Sequence, residues 1–453
     1  MNYGIVLAAG KGTRMKTEMP KCAFPLLKKP MVEYVIDVLK KAKLDSTICV
    51  IGHKKEIFEE LLKDKVLYAV QEEQLGTAHA VLMAKDYIKD DGYTVIVPGD
   101  KPLIDDEMIN ALIKSHTKNN NDLTVGVHYV DNPKGFGRIL RDENLNVVRV
   151  VEEKDATVAE KKIREVNSGI YCVNNKLLFE AISQTSNENS RHEYYLSDII
   201  RILAKDHKVD TYTFDDSFKL NGINDLPTLA MFEEDLKREI NLKHMLNGVY
   251  LMNPDSIVIS PDAKIGSGTT IYPGCIIMGN TKIGKNCIVG PYTETMNATL
   301  EDNVVCKQSV VYDSKILSGA QVGPFTHLRM NSVVGINDRI GNFVEMKNST
   351  LGEKTNVAHL TYIGDTTCGS HVNWGCGTVT VNYDGKNKHK TIIGDNVFIG
   401  CNTNLIAPIK VASDSFIAAG STVTYNIEQG EFVIARTRQE AKRGYADKYK
   451  KNK

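Results

Sequence analysis

A six-residue period in the second half of the sequence constrains the fold of this chain more than any other feature. Between residues 393 and 423 an aliphatic residue recurs at every sixth position, at Ile393, Ile399, Leu405, Val411, Ile417 and Val423. Six residues form one short strand and a turn. Three such units close one triangular coil, in which each aliphatic side chain stacks on its equivalent in the next coil. From about residue 250 the sequence therefore predicts a left-handed parallel β-helix of hexapeptide repeats.

The same step recurs in shorter stretches, so a coincidental period in a Val- and Ile-rich β domain is a poor alternative. These stretches are Ile265/Ile271, Ile283/Val289, Ile316/Val322/Leu328 and Leu351/Val357/Ile363. Two segments interrupt the period and are interpreted as loops, near Tyr292–Asn297 and Val381–Lys390. Long insertions in a solenoid often carry its binding site. The tail Arg436–Lys453 is basic, and its segment Gln439–Arg443 is compatible with a helix.

The first half alternates short β runs with amphipathic segments. Strands are predicted over Tyr3–Leu7, Thr47–Ile51, Val66–Val70, Tyr93–Val97 and Leu123–Val127, with helical segments such as Met31–Lys41 and Thr77–Tyr87. This alternation is typical of an α/β, Rossmann-like domain with a mainly parallel sheet, whose ligands bind beyond the carboxyl ends of the strands. One long helix is then predicted over Pro227–Leu246. The predicted organisation is an α/β domain over 1–226, a linker helix over 227–248 and a β-helix domain with its tail over 249–453.

Charge and cysteine usage exclude several classes of protein. Lysine plus arginine equals aspartate plus glutamate, at 56 each, so neither a nucleic acid partner nor a membrane surface is expected. No apolar run reaches the roughly 18 residues that a membrane helix needs. The nine cysteines are scattered and never spaced as CxxC. We therefore expect reduced thiols and a cytoplasmic location.

A glycine-rich turn follows the first predicted strand, in Leu7-Ala8-Ala9-Gly10-Lys11-Gly12-Thr13-Arg14-Met15. Its small residues let backbone amides approach a phosphate or a base edge, and Arg14 brings positive charge. Lys21 adds a second cation close in sequence. The turn matches neither the GxGxxG fingerprint nor a Walker A loop. On its own it is equally compatible with a purely structural turn.

A carboxylate stands where the fourth predicted strand ends, in Val97-Pro98-Gly99-Asp100. Mg²⁺ takes one or two protein oxygens and completes its shell with phosphate and water. Asn224, in Gly222-Ile223-Asn224-Asp225, is a candidate for the second oxygen. By spacing alone this pairing stays open, because glycine–aspartate dipeptides usually mark turns.

These motifs together resemble the sugar-1-phosphate nucleotidyltransferases, and within them the bacterial N-acetylglucosamine-1-phosphate uridyltransferases. The resemblance is carried by LAAGKGTRM, Pro20-Lys21, QEEQLGTAHA over residues 71–80, Gly135–Ile139, Val151-Glu152, Asn167–Ile170 and Glu193–Asp198. It implies that the uridine nucleotide is held by Leu7, Ala8, Ala9, Gly10, Gln71, Gly76, Thr77 and Gly99, the acetylated sugar by Gly137, Glu152 and Asn167, Mg²⁺ by Asp100 and Asn224, and the triphosphate by the catalytic cations Arg14 and Lys21. Pro98 stands where some relatives have an aromatic residue.

His359 is the most informative residue of the second half. Transfer of an acetyl group to an amine needs a base, and a neutral imidazole suits that task. A lone histidine is more often structural, but this one lies near Tyr362 and the Asn382-Tyr383-Asp384-Gly385 insertion. Arg329 and Lys347 are cations suited to an anionic sugar phosphate. Without these neighbours, both would be interpreted as part of a solvated outer face.

The segments AHLTYIGD over 358–365 and NYDGKNKHKT over 382–391 resemble the acetyltransferase half of bifunctional uridyltransferase/acetyltransferases. That family implies His359 as the base, Arg329, Lys347, Tyr362 and Asn373 around glucosamine 1-phosphate, and Cys376, Asn382, Tyr383, Cys401, Ala419 and Arg436 on acetyl-CoA. Cys376 and Cys401 stand where relatives often carry Ala or Ser, which puts any side-chain role there in doubt. The family further implies a homotrimer with the cofactor between neighbouring helices, and synthesis of UDP-N-acetylglucosamine for peptidoglycan and lipopolysaccharide-type precursors.

Two other functions compete with this interpretation. The first is a single-function sugar nucleotidyltransferase whose β-helix is regulatory, and His359, Asn373 and the 382–385 insertion argue against it because a regulatory domain needs no base. The second is a non-catalytic scaffold that reuses both folds. Such a protein would be expected to lose metal and phosphate ligands, whereas Lys21, Asp100 and Asn224 are all present.

Overall fold

The computed structural model describes residues 1–89 and 91–450. The chain divides into two compact units, Met1–Leu236 and the remainder from Lys237 onward. Among the described residues, none of the helices combines the length and the apolar character that crossing a membrane requires.

The first unit is built on a nine-stranded sheet. Its strands are Tyr3–Leu7, Ser46–Ile51, Leu67–Val70, Tyr93–Pro98, Leu123–Tyr129, Arg138–Arg141, Val147–Val151, Glu165–Asn174 and Val209–Thr213, and a separate hairpin pairs Pro25–Leu26 with Lys29–Pro30. The helices are Met31–Lys41, Lys55–Leu62, Thr77–Leu82, Asp106–Lys118, Asn175–Ile182 and Asp198–Leu203, with 3₁₀ turns at Thr13–Met15, Lys21–Ala23, Lys85–Tyr87 and Glu160–Lys162. The long helix Leu226–Leu246 begins in the first unit and ends in the second.

The sheet is mainly parallel, as the alternating pattern predicts, with two reversed strands, Glu165–Asn174 and Val147–Val151. Tyr3–Leu7 runs parallel to both Ser46–Ile51 and Tyr93–Pro98. Glu165–Asn174 runs antiparallel to its neighbours Tyr93–Pro98 and Leu123–Tyr129. The register pairs Leu7 with Pro98, so the glycine-rich turn and Gly99-Asp100 emerge at the same edge of the sheet.

The helices cover both faces of this sheet because strand residues alternate between the two faces. One core contains Ile5, Ile48 and Ile96, and the other contains Val6, Cys49 and Val95. The predicted segment Thr77–Tyr87 is an α-helix only to Leu82, followed by the 3₁₀ turn. The long helix predicted from Pro227 runs from Leu226 to Leu246, and the backbone N–H of Gly248 donates to the Met245 carbonyl at 3.0 Å just beyond its end.

The second unit is a parallel β-helix, which confirms the prediction from the six-residue period. Its first face contains Tyr250–Leu251, Thr270–Ile271, Ile288–Val289, Val305–Cys306, Gln321–Val322, Asn373–Trp374, Phe398–Ile399, Phe416–Ile417 and Phe432–Val433, and its second contains Val258–Ile259, Ile276–Met278, Glu294–Met296, Val310–Tyr312, His327–Arg329, Val379–Val381, Asn404–Ile406 and Thr422–Val423. Arg339–Lys347 and Asn356–Gly364 bend from the first face into the second. The third face contains Lys264–Ile265, Lys282–Ile283, Thr299–Leu300, Lys315–Ile316, Val333–Val334, Thr366–Cys368, Thr391–Ile393 and Ile409–Val411. Short 3₁₀ turns lie at Pro254–Ser256 and Tyr445–Tyr449.

The aliphatic residues of the period point into the prism. Ile399, Leu405, Val411 and Ile417 are completely buried. Each stacks on its equivalent one coil away, as the register of Trp374, Ile399 and Ile417 shows. Burial of these side chains in every coil stabilises the solenoid.

One predicted loop is present and the other is not. Residues 382–390 leave the coil between Val379–Val381 and Thr391–Ile393. The loop predicted near Tyr292–Asn297 is wrong, because Glu294–Met296 is a regular strand paired with Ile276–Met278 and Val310–Tyr312. The inward position there is filled by Thr295, which is fully buried. A polar residue at that position removed the aliphatic signal without interrupting the coil.

The tail carries no α-helix in its described part. Gln439–Arg443, compatible with a helix in sequence, is exposed and irregular, and Tyr445–Tyr449 forms a 3₁₀ turn. A five-residue segment without an apolar face cannot offset the cost of nucleating a helix, and Gly444 follows it with φ 78°. Residues 451–453 lie outside the described residues.

Candidate active sites

Four polar side chains from distant parts of the first unit meet beyond the sheet edge. Lys21 Nζ lies 2.5 Å from Asp100 Oδ2 and 3.1 Å from Asn224 Oδ1. Arg14 donates to the same Asn224 oxygen at 2.7 Å. Asn224 Nδ2 donates to the Gly222 carbonyl at 3.1 Å, which fixes the amide with its oxygen toward the two cations. These four side chains form the cluster we call the Asp100 site.

The Asp100 site is strongly polarised. Burial raises the pKa of Asp100, but the charges of Lys21 and Lys101 outweigh burial and hold that pKa below its usual value. Burial likewise lowers the pKa of Lys21, and the charge of Asp100 outweighs it, so the net shift is upward. Lys101 lies behind them with its ammonium on the Leu220 carbonyl, and burial lowers its pKa to about 8.

The donor set of this site fits a divalent cation. A carboxylate oxygen and an amide oxygen both contact one ammonium group, so a single positive centre can contact both at once. Mg²⁺ prefers oxygen ligands and keeps positions for water and phosphate. Among the described residues no cluster of three or more His, Cys, Asp and Glu side chains is arranged for a metal. Because the Asp100 site offers two protein oxygens, it suits an ion that shares its shell with a substrate.

The residues expected to hold the nucleotide lie around the glycine-rich turn. The backbone N–H of Ala8 donates to Val50 O at 2.9 Å, and that of Gly99 donates to Leu7 O at 2.9 Å. Gly10 is exposed, with no atom within 4 Å of where a β-carbon would stand. Gly12 has φ 60°, and a β-carbon there would lie 2.4 Å from Lys21 Cβ, so glycine lets the turn pack against the lysine.

The second nucleotide segment is tied to the first through Gln71. Gln71 N donates to Ile51 O at 2.8 Å, and its side-chain amide donates to the Gly76 carbonyl at 3.0 Å. Gly76 has φ 126°, and any β-carbon would lie 2.4 Å from the Tyr194 carbonyl. Thr77 Oγ1 accepts from Leu196 N at 2.9 Å. The two motifs at 71–80 and 193–198 thus form one surface, and only glycine fits where they cross.

The residues expected to hold the sugar also come together. Asn167 N donates to Gly137 O at 2.8 Å. A β-carbon on Gly137 would lie 3.3 Å from Glu152 Oε1. Burial raises the pKa of Glu152, while the hydroxyl of Ser197, which donates to Oε1 at 3.1 Å, opposes that shift. Asn167 Nδ2 donates to the Tyr171 hydroxyl at 2.6 Å.

In the second unit, His359 stands exposed at a corner of the prism. Its Nδ1 lies 2.9 Å from Asn342 Oδ1, and the register pairs Asn342 directly with His359 one coil earlier. An amide oxygen can only accept, so this contact is a hydrogen bond when Nδ1 is the donor, and the neutral ring with that tautomer has its lone pair on Nε2. Asn342 thus favours the tautomer in which Nε2 can act as a base.

The residues expected to contact the thioester continue this corner. Tyr362 pairs with Val379 in the next coil. His359 lies three residues before Tyr362, and Cys376 lies three residues before Val379. The register pairs Trp374, Ile399 and Ile417 in consecutive coils. Two residues after each of them come Cys376, Cys401 and Ala419, which therefore stack in one column. We call this column, from Asn342 through His359, Cys376 and Cys401 to Ala419, the His359 corner. Arg436 adjoins it, since a β-carbon on Gly420 would lie 3.3 Å from Arg436 Cδ.

The expected sugar-phosphate residues gather at the next corner. Arg329, Lys347 and Gly364 are paired in consecutive coils, and Arg329 Nε donates to Glu345 Oε1 at 3.0 Å. The nearby Lys388 ammonium lowers the pKa of Lys347. The Tyr362 hydroxyl and the Asn382 amide both lie over Gly364, within 2.5 Å and 2.7 Å of a β-carbon built there. We call Arg329, Lys347, Tyr362 and Asn382 the Lys347 corner.

Two expected contact residues lie elsewhere. Asn373 pairs with Asn356 on the first face, three residues before Cys376. Tyr383 belongs to the loop 382–390, where its hydroxyl donates to the Gly385 carbonyl at 2.8 Å and His389 Nε2 lies 2.7 Å from Asp384 Oδ2. Within one chain, Asn373 and Tyr383 therefore belong to different parts of the β-helix.

Comparison with known proteins gives a consistent result along the whole chain. Residues 3–229 match the nucleotidyl transferase family, and residues 262–295 and 390–425 match the bacterial transferase hexapeptide (six repeats) family. The bifunctional protein GlmU of Acholeplasma laidlawii is 49% identical over 446 residues, covering 98% of this chain and 97% of that protein. Those of Exiguobacterium sp. (strain AT1b) and Acetivibrio thermocellus are each 46% identical, covering 98% of this chain and 99% and 97% of theirs.

Proposed function

The chain belongs to the bifunctional GlmU family, and we propose how its two sites carry out the two reactions. It is a uridyltransferase and an acetyltransferase. It acetylates glucosamine 1-phosphate with acetyl-CoA, and then transfers UMP from UTP to N-acetylglucosamine 1-phosphate, giving UDP-N-acetylglucosamine and pyrophosphate. The observation that carries this proposal is that each unit assembles its own reactive cluster, at Asp100 in the first and at His359 in the second.

Uridylyl transfer at the Asp100 site needs alignment and charge neutralisation rather than a base. The attacking group is a sugar phosphate, which is already anionic, so no proton has to be removed. Lys21 and Arg14 would neutralise the charge that develops on the triphosphate. Asp100 and Asn224 would hold Mg²⁺, which supplies a Lewis acid on the phosphate oxygens. Gly137, Glu152 and Asn167 would orient the acetylated sugar.

Acetyl transfer needs a base, and His359 supplies it. The amine nitrogen of glucosamine 1-phosphate attacks the thioester carbon, the carbon–sulfur bond breaks, and the thiolate of coenzyme A leaves. His359 Nε2 takes the proton that the nitrogen loses, and Asn342 keeps the ring in the required tautomer. The backbone of Cys376 and Cys401 already serves the coil, since their carbonyls accept from Asn402 N and Gly420 N at 2.7 Å. A backbone role at these two positions would therefore tolerate cysteine in place of Ala or Ser.

The distance between the two corners supports a site completed by a second copy of the chain. From Leu360, at the His359 corner, to Gly364, at the Lys347 corner, the strand advances about 3.3 Å per residue, or roughly 13 Å in all. In glucosamine 1-phosphate the amine and the phosphate lie on adjacent carbons. One glucosamine 1-phosphate is therefore too short to span both corners of one prism. It contacts the base of one chain and the cations of another more readily.

An exposed apolar ridge runs along the same corner. Phe325, Phe343 and Leu360 are more than half exposed, at 54%, 55% and 57%. All three have left-handed backbones, with φ between 45° and 60°, a conformation that costs bulky residues about 1–2 kcal/mol. Phe325 and Phe343 stack at 5.5 Å. A homotrimer, with this ridge against a neighbouring prism, is the assembly that the ridge and the two corners favour.

Co-assembly of two inactive chains tests the shared site. His359→Ala and Lys347→Ala chains, co-expressed, should form mixed trimers in which some sites take both residues from unmutated surfaces, so acetyl transfer returns. Each variant alone should remain inactive. Absence of activity in mixed trimers of confirmed composition would contradict the shared site.

Reciprocal variants test the two-site function itself. Asp100→Ala should abolish uridylyl transfer and leave acetyl transfer near the wild-type rate, and His359→Ala should do the reverse. Each half-reaction is assayed separately on folded protein. A regulatory β-helix, the alternative function, predicts no acetyl transfer at all. We propose that the product serves cell-wall precursor synthesis in the cytoplasm.

A further inference from the structure

The ammonium of Lys21 occupies the space between the two oxygens of the Asp100 site. It lies 2.5 Å from Asp100 Oδ2 and 3.1 Å from Asn224 Oδ1. Its side chain and that of Asp100 are 16% and 17% exposed, so solvent screens this pair less than a surface ion pair. The same oxygens are those assigned to the divalent cation, and this inference rests on that proposed function.

We propose that Lys21 is a stand-in cation that keeps the Asp100 site closed to divalent ions until the triphosphate of UTP draws the lysine away. Asp100 and Asn224 stay paired in the free enzyme because an ammonium contacts both. A divalent ion that arrives alone must break these two contacts and also faces the charge of Lys21. A triphosphate offers Lys21 new anionic partners. Departure of Lys21 frees Asp100 Oδ2 and leaves Asn224 Oδ1 with Arg14 as its remaining cationic partner.

The local structure holds Lys21 in this position. Lys21 opens the 3₁₀ turn Lys21–Ala23, directly after Pro20. Gly12 packs closely against Lys21, since a β-carbon built on Gly12 would lie 2.4 Å from Lys21 Cβ. Arg14 also contacts Asn224 Oδ1, at 2.7 Å. The stem is fixed while the ammonium end can change partners, which is the property an exchangeable cation needs.

The arrangement makes nucleotide and metal binding cooperative. If UTP removes Lys21 from the oxygens, UTP strengthens binding of the ion, and by linkage the ion strengthens binding of UTP by the same factor. Without Lys21 the Asp100 oxygen is open in the free enzyme and Asn224 keeps only its contact with Arg14, so the ion binds alone more readily and this part of the coupling disappears. Lys21 thereby acts as a positioning residue for metal entry in addition to its role on the triphosphate.

Mn²⁺ binding without nucleotide tests the proposal independently of activity. Free Mn²⁺ is titrated into wild type, Lys21→Met and Lys21→Gln and is followed by its electron paramagnetic resonance signal. Both variants should bind Mn²⁺ about ten- to hundredfold more tightly than wild type, the factor that corresponds to a hydrogen bond to a charged group. Lys16→Met, a matched change at an exposed lysine in the same segment, should leave the affinity unchanged. A non-hydrolysable UTP analogue should increase Mn²⁺ affinity by a larger factor in wild type than in Lys21→Met, where only the added phosphate ligands contribute.

Failure of this inference is distinguishable from failure of the proposed function. If Lys21→Met and Lys21→Gln, both folded, bind Mn²⁺ no more tightly than wild type while wild type with the UTP analogue binds it through Asp100, the stand-in role is wrong and the metal site stands. If Asp100→Ala in the Lys21→Met background leaves Mn²⁺ binding unchanged, the ion does not use Asp100, and both proposals are overturned. Loss of the gained affinity in that double variant supports both.

Discussion

Replacement of Asn342 by alanine isolates what orientation of His359 contributes to acetyl transfer. Asn342 Oδ1 lies 2.9 Å from His359 Nδ1. A hydrogen bond of this kind contributes about 0.5–1.5 kcal/mol net. Since about 1.4 kcal/mol corresponds to tenfold in rate, kcat for acetyl transfer should fall by about two- to tenfold. His359→Ala, which removes the base itself, should cost about 10²–10⁴-fold.

The assay follows release of the coenzyme A thiol at saturating substrates, with uridylyl transfer by the same preparation as the internal control. Because Asn342 acts through the ring, Asn342→Ala should change kcat more than KM, and it should have no further effect in the His359→Ala background. Asn342→Asp keeps an acceptor at Nδ1 and adds a charge that favours the imidazolium. It should retain most of the activity and move the acidic limb of the kcat/KM profile to higher pH.

Two results would refute this reasoning. One is an equal loss of activity on Asn342→Ala in the wild-type and His359→Ala backgrounds, which would show that Asn342 contributes independently of the ring. The other is a wild-type pH profile in Asn342→Asp, which would show that this side chain does not contact the base in solution.

Three further predictions concern other parts of the chain. Ser197→Ala removes the hydroxyl that donates to Glu152 at 3.1 Å and should raise KM for N-acetylglucosamine 1-phosphate about three- to tenfold with little change in kcat; an unchanged KM contradicts the placement of the sugar. His128 is completely buried, and burial lowers its pKa to about 4. Between about pH 6.5 and about pH 4 this histidine is therefore protonated in the unfolded chain and neutral in the folded one, so the free energy of unfolding should decrease as the pH drops through that range. In urea unfolding, His128→Phe should make the free energy of unfolding depend less steeply on pH. An equally steep dependence would refute the lowered pKa of His128. Iodoacetamide should label Cys401, the exposed cysteine, before the buried ones. This label should inhibit acetyl transfer without affecting uridylyl transfer. Loss of both activities at one label per chain would contradict two separate sites.

Much of the fold follows directly from patterns in the sequence. The strand Tyr3–Leu7 and the helix Met31–Lys41 have the predicted bounds, because β-branched runs and amphipathic periods are local signals. The β-helix was evident for the same reason, since every coil repeats one short pattern. The segment 292–297 was misinterpreted because Thr295 replaces the aliphatic residue on which the pattern depends.

Contacts between distant residues were harder to predict. Lys21, Asp100 and Asn224 were each candidates, but their meeting depends on how the sheet edge brings three loops together. Asn342 received no role from sequence, although it precedes His359 by 17 residues, about one coil, and counting back by one coil would have found it. Ser197 lies in the motif Glu193–Asp198 but received no role, and Lys101 gave no signal, because a serine or a lysine acquires its role from the side chain beside which it is buried.

The separation of the two corners of the β-helix could not be read from motifs at all. Family resemblance grouped Arg329, Lys347 and His359 into one site, whereas the register places the cations and the base at different corners of one prism. Sequence lists residues without the geometry of a coil, so it does not show whether one copy of the chain holds them all.

Mass spectrometry of a single reaction mixture tests most directly whether one chain performs both reactions in order. The purified protein is supplied with glucosamine 1-phosphate, acetyl-CoA, UTP and Mg²⁺. The predicted products are UDP-N-acetylglucosamine, coenzyme A and pyrophosphate, with acetylated sugar phosphate as the transient species. Omission of acetyl-CoA should leave glucosamine 1-phosphate unreacted. Formation of a UDP-sugar without the acetyl group, or no acetylated product in the complete mixture, would contradict the assignment of an acetylating base to His359 and a uridylylating centre to Asp100.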